Sequence, residues 1–100
     1  MAVFAISFRI HEDSTYEARY ESLVQQIKDE AKNGDTWEET TSFFLIESDK
    51  SSKSLCDALY MDSKIQESKD ILLVINLSAK AYAQRGVQYP YSLDALMQKR

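Results

Sequence analysis

Few residues of this chain are equipped for chemistry. It has one histidine, His11, and one cysteine, Cys56, in 100 residues. His11 lies beside Glu12 and Asp13, but a metal site takes more ligands at suitable spacings, and no second His or Cys exists to supply them. It reads as a polar loop residue ahead of a helix cap. Cys56 follows Leu55 on a helical stripe and reads as a small buried hydrophobe, with only His11 to activate it as a nucleophile. Glu38 and Glu39 form the obvious carboxylate pair, yet neighbours on a strand point to opposite faces, so the two could share a proton only within a turn. Two glycines in the whole chain leave no glycine-rich phosphate loop. No catalytic, cofactor-binding or metal-ligating residue is therefore expected.

The remaining candidates are basic and aromatic. Tyr82, Tyr89 and Tyr91 lie near Lys80 and Arg85, and Lys99 and Arg100 follow. Such a mixture can stack on nucleobases, or it can pack across its own domain, since tyrosine buries its ring and keeps a polar tip. The overall charge is −4 with a pI near 4.9, which disfavours non-specific nucleic-acid binding. That charge is uneven: residues 1–50 carry 11 acids and 5 bases, whereas residues 51–100 carry 5 acids and 7 bases. An ordinary solvated surface or a head-to-tail electrostatic pairing would each produce this. Lys80, Arg85, Lys99 and Arg100 are the residues expected to meet an acidic partner. The lone Cys56 excludes an internal disulfide, the N-terminal run lacks a signal-peptide pattern, and no stretch approaches the ~18 apolar residues of a membrane span. A cytoplasmic protein away from membranes is expected.

These residues must be positioned by a small set of elements. Val3 to Ile10 alternates as a strand, with Phe4, Ile6, Phe8 and Ile10 on one side and Val3, Ala5, Ser7 and Arg9 on the other. Ser14 to Glu17 fits a capping box, with Ser14 as N-cap. Tyr16, Tyr20, Leu23, Val24, Ile27 and Ala31 then form one helical stripe, closed by Asn33-Gly34. Thr36 to Glu47 reads as a short edge strand, a turn and a central strand over Ser42–Glu47. A second helix buries Leu55, Cys56 and Leu59 after caps in Asp49–Ser52. Ile71 to Leu77 is apolar at six of its seven positions and reads as a strand buried on both faces. Ser78–Arg85 is alanine-rich and reads as a helical turn stopped at Gly86, and Ser92 caps a last amphipathic segment with Leu93, Leu96 and Met97.

That order predicts one α+β domain over residues 1–100: a ferredoxin-like βαββαβ core over 2–78, with two helices on one face of an antiparallel sheet, and a short extension over 79–100. The other face of the sheet is left open. Val3, Ala5, Leu72 and Val74 are expected there, beside one register of the Phe43–Ile46 strand, and so apolar a face calls for a partner. A homodimer through the open face is expected; an unidentified protein partner is the other occupant considered.

The opening strand Phe4-Ala5-Ile6-Ser7-Phe8-Arg9-Ile10 resembles the first strand of small proteins related to the CRISPR-associated Cas-two family. Thr41–Ser48, Asp70–Leu77 and the stretch from Leu77-Ser78 to Arg85-Gly86 are similar to later blocks of stand-alone relatives, so the resemblance spans most of residues 2–86. It implies a ferredoxin-like protomer and a homodimer with the two sheets packed together. In nuclease members an Asp closes the first strand and binds a divalent metal, whereas this chain has Arg9 there, and a guanidinium repels a hard cation.

Three functions follow in order of preference. The first is a non-catalytic homodimeric interaction protein. The second is a metal-dependent nuclease of the Cas-two type, with relocated ligands. The third is a nucleic-acid-contacting accessory protein that uses Lys80, Arg85, Lys99 and Arg100.

Overall fold

The computed structural model describes residues 1–100. Its elements run β1 (Ala2–Arg9), α1 (Tyr16–Glu30), a 3-10 turn (Lys32–Gly34), β2 (Thr36–Trp37), β3 (Phe43–Ser48), α2 (Ser52–Met61), β4 (Ile71–Asn76), β5 (Ala81–Arg85) and α3 (Pro90–Met97). The five strands make one open sheet in the order β2-β3-β1-β4-β5, antiparallel at every pairing. This α+β arrangement is compatible with a ferredoxin-like fold, with a fifth strand added outside β4.

The helical side of the sheet holds the core. Phe4, Ile6 and Phe8 of β1, Phe44 and Ile46 of β3, and Leu72 and Val74 of β4 pack against Leu23 and Ile27 of α1 and Leu55, Cys56 and Leu59 of α2. Leu72 and Val74, expected on the open face, therefore lie on the opposite side. Pairing register decides this: Phe8 faces Leu72 and Ile6 faces Val74 across the β1–β4 ladder, and directly paired residues share a face. Because the strand is apolar at both sets of positions, its own pattern carries no orientation, and a shift of one residue exchanges the faces.

The segment Ser78–Arg85 is also not helical. Leu77–Lys80 turns the chain, the Ser78 N–H donates to Asn76 Oδ1 at 2.8 Å, and residues 81–85 return as β5 along β4. Alanine content favours a helix only weakly, and so short a helix is marginal alone. Pairing with β4 instead satisfies the backbone groups of an otherwise exposed strand.

The start of α1 differs in detail. No capping box forms at Ser14, and Thr15 is the N-cap without a side-chain cap bond. Asp13 accepts instead from the Thr15 N–H at 2.9 Å and from its hydroxyl at 3.0 Å. The second helix is capped within the expected stretch, where Ser51 Oγ accepts from the Ser54 N–H at 3.1 Å. Asn33 and Gly34 both adopt positive φ at the end of the α1 region, as their types allow.

Candidate functional site

Two surfaces and one buried cluster account for the residues singled out above. The first surface is the sheet face away from α1 and α2. Register places Trp37, Leu45, Ala5, Ile75 and Tyr82 in one row across all five strands. A second row carries Phe43, Ser7, Leu73 and Gln84. Val3 and Ala5 thus hold their expected face, while Ile71, Leu73 and Ile75 supply the β4 contribution assigned from sequence to Leu72 and Val74. Trp37 is 41% exposed and packs edge-on against Phe43, with ring centroids 6.2 Å apart. Phe43, Leu45, Ile71, Leu73 and Ile75 are all half-buried, so their side chains still meet water.

The second surface carries α3. Tyr82 donates its hydroxyl to Asp94 Oδ1 at 2.8 Å, and the Arg100 guanidinium lies 5.9 Å from the Tyr82 ring centroid. The Asp94 carboxylate and burial together push the Tyr82 hydroxyl above its ordinary pKa. Helix α3 begins with Pro90 at its first turn, two residues before the expected Ser92 cap, and its fixed φ suits that position. Leu93 and Met97 are half-buried, whereas Leu96 is 64% exposed and Tyr91 is 90% exposed. The expected apolar stripe of α3 is therefore divided between the domain and solvent.

The basic and aromatic group does not come together as one surface. Arg85 turns to the helical side, pairs with Asp57 at 3.1 Å and Glu67 at 3.8 Å, and stacks over the Tyr60 ring at 4.3 Å. Its charge is engaged within the chain, which corrects its assignment as an acidic-partner contact. Lys80, Lys99 and Arg100 are exposed and form no ion pair within the chain. Gly86 follows with φ +76°, and a Cβ there would stand 2.0 Å from the Asp70 carbonyl oxygen. The Arg-Gly pair thus serves close packing against the loop before β4.

The buried cluster was not legible as a site. Arg19 is 2% exposed and Asp70 is 1% exposed, and they are directly hydrogen-bonded through Nη1 and Oδ1. Arg19 also donates from Nη2 to Asp13 at 2.7 Å and to the His11 carbonyl at 2.8 Å, and from Nε to Thr15 Oγ1 at 3.1 Å. Asp70 accepts from the backbone N–H groups of His11 and Gln66, each at 2.9 Å. Burial alone would raise the Asp70 carboxyl, but Arg19 and these two N–H groups outweigh it and hold Asp70 below the usual carboxylate range. Lys69, Arg19 and Thr15 hold Asp13 well below that range. The one available signal was Arg19 itself, three residues after Tyr16 and four before Leu23, on the buried side of the helix.

This cluster fastens the β1–α1 loop to the α2–β4 loop. Its carboxylates are consumed by internal donors, which suits a structural ion network better than an acid–base site. His11 contributes through its backbone. Burial pushes the Cys56 thiol up to about 11, which keeps it neutral and poorly nucleophilic at physiological pH. No helix is long and apolar enough to cross a membrane. Fold and surfaces together define a small α+β domain with one open apolar sheet face. Comparison with protein-family models, characterised proteins and solved structures returned no match.

Proposed function

We propose that this chain is a homodimeric interaction protein, built on a ferredoxin-like βαββαβ frame and acting in the cytoplasm without a catalytic step of its own. The observation that carries the reading is the row Trp37, Leu45, Ala5 and Ile75 on the side that α1 and α2 leave uncovered, with Tyr82 at its β5 end held by Asp94 and Arg100. Apolar side chains aligned in this way form a patch whose burial stabilises association by roughly 25 cal/mol for each Å² removed from water. A second copy offers the same patch and closes the assembly with two-fold symmetry.

The resemblance to the Cas-two family supports the same assembly but not its nuclease chemistry. Arg9 is exposed at the end of β1, where nuclease members hold a metal-binding Asp. Asp13, the nearest substitute, has Oδ1 taken by Arg19 and Thr15 and Oδ2 taken by Lys69. Purified protein is expected to leave RNA and DNA intact with added magnesium or manganese.

Sedimentation at micromolar concentration tests the assembly. A dimer is expected, and Ile75→Glu should shift it to folded monomer, since the substitution buries an unpaired charge only in the dimer. Wild-type protein that sediments solely as monomer would overturn the reading.

A further inference from the structure

The two ends of the open face carry opposite charge. Beside β2 and β3, Asp35, Glu47 and Lys32 line a depression with Val3, Trp37 and Leu45, two acids against one base. Beside β5, Lys80 and Arg100 line a depression with Ile75 and Leu77. Asp35, Glu47, Lys80 and Arg100 are all exposed, and none forms an ion pair within the chain. The sheet therefore presents a flank that is acidic on balance, two free acids against the free Lys32, and an unpaired basic flank on either side of the apolar row.

We propose that the two-fold axis of the homodimer runs along β1, so that Asp35 and Glu47 of each copy meet Lys80 and Arg100 of the other. This rests on the homodimer proposed above and specifies its geometry. Two sheets can meet face to face with their axis along β1 or across the strands. An axis along β1 lays the β2–β3 side of one copy over the β4–β5 side of the other. Register then sets Leu45 over Ile75 and Ala5 over Ala5, and brings Trp37 to the Tyr82 end of the row, where Arg100 lies against the Tyr82 ring. An axis across the strands instead stacks β2 on β2 and β5 on β5. The like-charged flanks then gather on the same side, the β2–β3 flank on its own copy and Lys80 and Arg100 on theirs. The chosen axis brings Arg9 near its own copy, but at the rim of the face, where a long side chain keeps its head group in water. Complementary flanks also fix the direction of pairing and disfavour the other orientation.

Charge reversal tests this. Sedimentation and dilution calorimetry would compare wild type with Glu47→Lys, Lys80→Glu, the double variant and Arg9→Glu, with circular dichroism confirming the fold of each. Each flank contact occurs twice in a two-fold dimer. Either flank reversal is expected to weaken dimerisation about tenfold, and the double variant to recover most of it. Arg9→Glu is expected to leave affinity within about twofold, and rising salt to weaken the wild-type dimer. A wild-type dimer in which the double variant shows no recovery, or in which Arg9→Glu rescues Glu47→Lys, would overturn the axis and leave the homodimer standing. A wild-type monomer would instead overturn the homodimer itself.

Discussion

Replacing Asp70 by Asn should show how much of the fold hangs on the buried ion network. The side chain keeps its shape but loses its charge, while Arg19 stays 2% exposed. In the native protein Asp70 accepts from Arg19 and from the backbone of His11 and Gln66. An amide offers one acceptor oxygen in place of two, so at least one of these donors is left short, and an NH2 group is turned towards other donors. Removing one partner of a buried pair costs about 3–5 kcal/mol. Arg19 keeps Asp13 as a second partner, which places the expected loss near ~3 kcal/mol, the lower end of that range. For a domain of this size, that corresponds to a fall in Tm of roughly 12–24 °C. Thermal and urea unfolding followed by circular dichroism would measure it. Acid titration supplies the sign. Asp70 and Asp13 have depressed pKa values in the folded state, so they stabilise it above the ordinary carboxylate pKa. That contribution is lost as pH falls below about 4 towards their folded-state values. Asp70→Asn should therefore flatten the acid limb of the stability profile. A variant that melts within about 3 °C of wild type, with an unchanged acid limb, would refute the network as a structural fastener.

Other substitutions separate packing from surface. Gly86→Ala should cost about 3 kcal/mol or more, because it adds positive-φ strain to a Cβ held 2.0 Å from the Asp70 carbonyl oxygen. Gly34→Ala has open space around its Cβ and should cost only about 1 kcal/mol, so equal Tm losses would contradict the packing account. Leu72→Glu should unfold the protomer, since Leu72 is fully buried in the core; a folded, merely dissociated variant by circular dichroism and sedimentation would be inconsistent with the register. Deleting residues 91–100 should lower Tm by only a few degrees, because no residue of α3 is buried and Asp94–Tyr82 is its clearest polar tie; a collapse of the fold on deletion would show a larger role.

Much of the layout was legible along the chain. Alternation in Val3–Ile10 assigned Phe4, Ile6 and Phe8 to the core and Val3, Ala5 and Ser7 to the other face, because strand side chains alternate with a period of two. The stripe through Leu23 and Ile27, the caps near Ser51 and the short edge strand before a central one likewise follow from local periodicity and turn chemistry. Where local information was symmetric or weak, tertiary structure decided. The run Ile71–Leu77 is apolar on both sides, so only hydrogen-bond register with β1 turned Leu72 and Val74 inward and Ile71, Leu73 and Ile75 outward. Ala81–Arg85 is made mostly of helix formers, and pairing with the free edge of β4 overrode that local preference. Arg19 and Asp70 lie 51 residues apart, so no spacing could announce their pair. Their contact exists because the folded sheet brings the β1–α1 and α2–β4 loops to the same end, where burial makes pairing obligatory.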